Sequence, residues 1–286
     1  MPDMRLASYH VHTTFCDGTA SPAGMIEGAL GAGLTDIGFS AHAAWLFSTE
    51  WHLDTRRYAE YRAEIERLRE AYRGRIAVRY GFEADYIAGV TIPDKSFYAQ
   101  FKPEYLIGSI HYVPTDRPKS ARAAWCVDAG AEEVARGIDA CFGGDGKRAV
   151  KAYWSALRDM VSSCDFDIVG HPDLFRKRNG VLRFFSENDP WYRRELKATA
   201  RAIARSGKIV EINTGAIARK AMDGLYPSDE LLALLCRAGV PVTINSDAHS
   251  PADLACAYDR AREAARRAGY RELSFLNDAG WVQEPI

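Results

Sequence analysis

The chain has six cysteines, Cys16, Cys126, Cys141, Cys164, Cys236 and Cys256, with no C-x-x-C pair and no disulfide-rich density. That absence excludes a small disulfide-stapled scaffold and leaves reduced thiols in a cytosolic protein as the expectation. No apolar run is long enough to span a bilayer, and a polar, histidine-bearing strand begins within about ten residues of the start, too soon for a signal peptide. A cytoplasmic protein with no membrane partner is expected. An excess of one charge is also missing: 37 Lys and Arg stand against 38 Asp and Glu, a net charge of −1. Nucleic acid and acidic membranes both call for a clear cationic surplus, so neither is expected as a partner, and a small molecule is. Internal repeats and low-complexity tracts are absent too.

With 286 residues and 47% hydrophobic content, the chain is long enough for one large domain, taken here as residues 1–286. Seven apolar runs read as strands: LASYHVH, DIGFSAH, IAVRYGFE, YLIGSIH, FDIVGH, KIVEINT and VPVTINSDAH. Helices lie between them. Ser21-Pro22, Asp189-Pro190 and Ser250-Pro251 each set an N-cap side chain before a proline at the first helical position, and Gly33, Gly207 and Gly269 stand at the far ends. Tyr58 to Tyr72 and Leu231 to Ala238 supply two more helices. Strand and helix in alternation imply a parallel α/β sheet, and functional groups on successive strand ends favour its closure into a barrel.

What the chain has in abundance is histidine at the ends of strands. Of seven histidines, six (His10, His12, His42, His111, His171 and His249) lie just past an apolar run, joined by Glu83 and Asp247. Any one of these reads as an ordinary hydrogen-bonded histidine, but structural histidines have no reason to share the same end of successive strands. In a strand, residues i and i+2 face one side, so His10 and His12 can hold one ion together. Imidazole nitrogen and carboxylate oxygen suit zinc, manganese and iron. The site is expected at the C-terminal mouth of the barrel. His52, in the Trp-rich stretch from Trp45 to Trp51, reads as a pocket or loop residue, and Cys16 as a small packed one.

Taken together, His10-Val11-His12, Asp17-Gly18, His42, Glu83, Gly108-Ser109-Ile110-His111, Gly170-His171-Pro172-Asp173 and Ser246-Asp247-Ala248-His249 resemble the motif set of the PHP (polymerase and histidinol phosphatase) superfamily, essentially from end to end. DIVGHPDLFRK, EINTGAIARK, YPSDELL and SDAHSP resemble its stand-alone histidinol-phosphatase branch. The resemblance implies a distorted (β/α)7 TIM-like barrel holding three divalent ions, zinc, manganese or iron. It implies that His10, His12, Glu83 and Asp247 hold the first ion, and that Glu83 bridges to a second held also by His111 and His171. Asp17, His42 and His249 would hold the third. The implied reaction is hydrolysis of L-histidinol phosphate to L-histidinol and phosphate, a step of histidine biosynthesis, with a metal-bridging hydroxide as nucleophile.

Phosphate monoester hydrolysis needs such a cluster, because the dianionic ester repels hydroxide and its uncatalysed cleavage is among the slowest biological reactions. Catalytic roles fall to Glu83, as the bridge, and to Asp247 or His249 as candidate proton donors to the leaving group, beside metal-bound water. Arg176 and Lys177, after the His171 motif, and Arg219, after Asn213-Thr214-Gly215, bring cations toward the mouth, where Arg176 and Arg219 would grip phosphate through paired N–H groups. In the long connection between His111 and Asp165, Asp128 could pair with a substrate imidazole and Trp125 stack on it. Another small phosphate ester, such as a nucleotide or sugar phosphate, is the alternative substrate. An amidohydrolase is disfavoured because Glu83 stands where such enzymes use a modified lysine. A non-catalytic barrel is disfavoured because every donor is present, and a nuclease because no basic groove is evident.

Overall fold

In the computed structural model, which describes residues 5–44, 49–114 and 124–286, seven strands form one parallel sheet in chain order. They are β1 (Ala7–Ser8), β2 (Asp36–Ala43), β3 (Ala77–Asp85), β4 (Tyr105–Ser109), β5 (Ile168–Val169), β6 (Ile209–Asn213) and β7 (Val242–Asn245). The last strand curls back to the first without a full ladder. Val11 and Ala248 form an isolated parallel bridge, His12 N–H donates to the Ala248 carbonyl at 2.9 Å, and Tyr9 N–H donates to Asn245 Oδ1 at 2.8 Å. The result is the expected nearly closed, distorted seven-stranded barrel. Its strands are buried on both faces, as a sheet covered by helices requires.

The interior is filled by aromatic side chains that only small neighbours admit. A Cβ on Gly38 would lie 2.6 Å from the Tyr105 hydroxyl, and one on Gly81 would lie 2.6 Å from the Tyr105 ring. Through that gap the Tyr105 hydroxyl reaches the carbonyls of Tyr9 and Phe39 at 2.7 and 2.9 Å. A two-stranded hairpin, Glu272–Asn277 with Gly280–Pro285, caps the N-terminal end. Its Leu276 N–H donates to Tyr9 Oη at 2.8 Å, and Trp281 sets its ring edge-on to Tyr9 at 5.2 Å. Each such buried side chain contributes about 1.5–3 kcal/mol of burial, and the sealed floor leaves the opposite end for chemistry.

The helix punctuation holds in most places. Ser21 Oγ accepts from Gly24 N–H ahead of the helix Pro22–Gly31, and Pro190–Ser206 ends at Gly207, although the Asp189 carboxylate before it makes no cap bond and accepts from Trp191 Nε1 instead. At Ser250-Pro251 the expected single helix is divided: a 3₁₀ turn, Pro251–Asp253, is followed by a break, and the helix proper runs Tyr258–Ala268. The break falls at Ala255 and Ala257, whose φ of 55° and 58° are left-handed, and a capping box stands ahead of it. Asp253 Oδ2 accepts from the backbone N–H groups of His249 and Ser250, at 3.2 and 2.9 Å, so the turn closes on itself and braces His249. No helix among the described residues is long and apolar enough to cross a membrane. Trp45 lies outside the described residues.

Candidate metal centre

All seven strands point their C-terminal ends at one cluster. His42 is the last residue but one of β2 and lies in register with Glu83 on β3. His111 and His171 stand two residues beyond β4 and β5, and Asp247 and His249 follow β7. His10 and His12 flank Val11 at the closing bridge. Asp17 reaches the mouth through a tight turn in which Cys16 and Gly18 N–H both donate to the Thr13 carbonyl. A Cβ on Gly18 would fall 2.5 Å from Thr13 N, so the turn requires glycine there.

Glu83 is the centre of the cluster and is fully buried. Its Oε2 lies 3.0 Å from His10 Nε2, 2.8 Å from His42 Nδ1 and 3.6 Å from His12 Nε2. Its Oε1 lies 2.9 Å from His171 Nε2 and 3.4 Å from His111 Nε2. One carboxylate therefore presents its two oxygens to two sets of imidazoles, the geometry of a bridge between ions. Asp247 Oδ1 is 3.3 Å from His12 Nε2, and Asp17 Oδ2 is 3.2 Å from His249 Nε2. Asp247 adopts a left-handed φ of 50°, which an aspartate tolerates better than most residues.

All nine expected ligands come together, in four overlapping groups that could each hold a cation: His12, Asp17, His42 and His249; His10, His12 and Glu83; His10, His171 and Asp247; His42, Glu83 and His111. The sharing differs from the expected partition, since His12 also joins the Asp17 group and His171 also faces Asp247. A cation fits chemically. His10 Nε2, His12 Nε2, His42 Nδ1, His171 Nδ1 and Glu83 Oε2 are buried without hydrogen-bond partners. Lone pairs aimed at carboxylate oxygens repel unless positive charge lies between them. In this structure the imidazoles supply part of that charge. Burial pushes the Glu83 carboxyl up, but His10, His42 and His111 outweigh it and hold it well below the usual range. Burial lowers His111, yet Asp85 and Glu83 push it up to about 10.

Two carboxylates behind the ligands escaped the sequence reading. Glu211 Oε2 lies 2.8 Å from His10 Nδ1, and the same side chain accepts from Asn213 Nδ2, Asn245 Nδ2 and His171 N–H at 2.7, 2.9 and 2.7 Å. Asp85 accepts from His111 Nδ1 at 2.6 Å and from His52 Nε2 at 2.8 Å. His52 Nδ1 in turn accepts from Thr49 N–H at 3.2 Å, which fixes its tautomer. Such partners aim the free nitrogen of a ligand at the ion. The signal that could have found them is an acidic residue inside an apolar strand: Asp85 sits two residues after Glu83, and Glu211 interrupts KIVEINT.

The mouth opens into a cavity of about 630 Å³, within the range of small-molecule sites. Trp51, Tyr112, Asp128, Lys177 and Arg219 line it beside the ligands. Arg219 donates to the Asp247 carbonyl at 2.5 Å and to its Oδ2 at 2.9 Å. Two expected substrate residues are elsewhere. Arg176 turns away to Asp173 and Glu187 at 3.4 and 3.2 Å and to the Leu225 carbonyl at 3.1 Å, because buried Asp173 takes it as counter-ion. Trp125 is fully buried, edge-on to Phe142 and Phe184. In its hairpin, Tyr112 pairs with Cys126 and Val113 with Trp125. Period-two alternation therefore turns Tyr112 and Cys126 to the cavity and Trp125 to the core. The aromatic wall is instead Trp51, stacked on His52 at 3.8 Å and edge-on to His42 at 4.6 Å.

The profile of the PHP domain family matches residues 8–215. The chain belongs to the PHP domain family. It is 30% identical over 274 residues to the Deinococcus radiodurans protein named "Probable histidinol-phosphatase", covering 94% of this chain and 96% of that one. Its fold matches a Listeria monocytogenes protein named "putative histidinol phosphatase", with a TM-score of 0.77, 18% identity, and 89% and 99% of the two chains covered. It also matches a Lactococcus lactis histidinol phosphate phosphatase solved with zinc, L-histidinol and phosphate, with a TM-score of 0.64, 22% identity, and 97% and 99% covered. This PHP chain thus carries the seven-stranded barrel of those structures together with a cluster suited to divalent metal.

Proposed function

We propose that this chain is a metal-dependent phosphomonoesterase that converts L-histidinol phosphate and water to L-histidinol and phosphate, a step of histidine biosynthesis, with residues 1–286 acting as one catalytic domain. The observation that carries the reading is Glu83, whose two oxygens face separate imidazole sets at the centre of nine donors, all buried or half-buried except the exposed Asp17. Kinship with proteins named histidinol-phosphatase supports the substrate. Three divalent ions, zinc, manganese or iron, would be held by His10, His12, Asp17, His42, Glu83, His111, His171, Asp247 and His249. When bound, they supply hydroxide at neutral pH and neutralise charge on the phosphoryl group. Arg219, fixed against Asp247, would meet a phosphate oxygen while it orients that ligand. Trp51 and Tyr112 form the wall against which the imidazole of the substrate would lie.

Phosphate release from L-histidinol phosphate by protein reconstituted with manganese or zinc tests the proposal, beside nucleotides, sugar phosphates and an aryl phosphate. Selective turnover with kcat/KM of about 10⁴ M⁻¹s⁻¹ or more is expected. Preference for another ester would overturn the substrate and retain the metal chemistry.

A further inference from the structure

The described cavity lining contains two cations outside the ligand set, and they come from different loops. Arg219 is tied to Asp247 and lies 3.0 Å from His249 Nδ1. Lys177 belongs to another loop. It sits in the 3₁₀ turn Leu174–Arg178, which starts where Leu174 N–H donates to the His171 carbonyl. Its Nζ lies 2.6 Å from Asp128 Oδ1, and its side chain is only 8% exposed. Asp128 follows Val127, whose N–H donates to the His111 carbonyl at 2.9 Å. Arg178 locks the two loops together through the Ala129 carbonyl at 2.9 Å. The Lys177–Asp128 pair is therefore built onto the backbone of the two histidines that share Glu83 Oε1.

An ester of an aliphatic alcohol leaves as an alkoxide, which needs a proton. The residues first considered for that task are committed elsewhere. Asp247 Oδ1 faces His12 Nε2 and its Oδ2 is held by Arg219. His249 Nε2 faces Asp17, and its Nδ1 is beside Arg219 and the Asp247 carbonyl. A guanidinium does not give up its proton. Lys177 alone, among the described lining residues outside the ligand set, bears a positive charge with a transferable proton.

Building on the phosphatase reading, we propose that Lys177 is the proton donor to the leaving oxygen and that Asp128 positions it. As hydroxide forms its bond to phosphorus, the bond from phosphorus to the ester oxygen breaks and its electron pair stays on that oxygen. The oxygen takes a proton from Lys177 Nζ and departs as the alcohol, and the neutral amine regains a proton from water. A protonated amine is a far stronger acid than an aliphatic alcohol, so this transfer runs downhill. Asp128 holds the ammonium in place; burial pushes its carboxyl up, but Lys177 and His111 bring it below the usual range.

Leaving-group dependence tests the assignment. Lys177→Met, Lys177→Arg and wild type are loaded with manganese, checked for equal metal content, and assayed on L-histidinol phosphate and on p-nitrophenyl phosphate, whose leaving group needs no proton. The ratio of the two kcat values is expected to fall by about 10²-fold or more in both variants. Arginine keeps the charge but not the transferable proton, so recovery of the ratio in Lys177→Arg would overturn the proposal in favour of a charge that grips phosphate. Equal losses on both esters would overturn it as well. Were wild type inactive on L-histidinol phosphate, the function reading would fall by itself. The same ratio on phenyl against p-nitrophenyl phosphate would then decide the role of Lys177.

Discussion

The two ends of this barrel use the same seven strands and treat charge in opposite ways. At the floor, ionic groups are matched: Arg5 meets Asp36 at 2.5 Å and Glu284 at 2.7 Å, and Arg79 meets Glu104 at 3.2 Å and Asp278 at 2.7 Å. Tyr9, Tyr105 and Trp281 fill the space behind them. At the mouth, imidazole nitrogens and carboxylate oxygens are buried facing each other, and several have no hydrogen-bond partner. Pairing closes the floor and makes it a source of stability. The mouth is left short of positive charge, and that shortage is what a divalent ion makes good.

Glu83→Ala is the severest way to break the contrast. It removes both oxygens of the bridge, and metal content by elemental analysis and phosphatase activity are expected to be lost together; retained activity would end the assignment of Glu83 as the bridge. Next comes Asp85→Asn, which weakens the hold on His111 and should cost about 10–100-fold in metal affinity by chelator competition. The same change has a signature in acid. Burial raises the Asp85 carboxyl, but His111 and His52 bring it down to about 2. A carboxyl held lower in the folded chain stabilises above its unfolded value, and that contribution is lost as pH falls from about 4 to about 2. Urea unfolding of metal-free protein across that range should show a larger loss in wild type than in Asp85→Asn, where Glu83 and Asp247 are still held low. The smallest effect is expected at the floor: Tyr105→Phe leaves the Tyr9 and Phe39 carbonyls short of a donor, costs about 1–3 kcal/mol, and leaves metal content as it was.

Much of the mouth was legible in the sequence, because eight of the nine candidate donors, all but Asp17, follow an apolar run and a strand end has few places to go. The second carboxylates were less so. Asp85 and Glu211 act through Nδ1 of His111 and His10, across strands whose pairing no single run of sequence displays. Arg176 and Lys177 are neighbours in sequence and look alike there, yet one turns back to Asp173 and the other faces the cavity. Trp125 and Trp51 exchanged their expected importance for a similar reason, since hairpin register put Trp125 on the inner face.

Local chemistry thus determined by itself the alternation of strands and helices, the barrel, and the gathering of six histidines, Glu83 and Asp247 at strand ends, because side-chain period and capping act over a few residues; Asp17 entered through the family resemblance. Only the tertiary structure decided which oxygen of Glu83 faces which histidine, which carboxylates orient them, and which cations line the cavity. Those choices depend on distances between residues far apart in the chain, and they exist only once the seven strands have closed around one point.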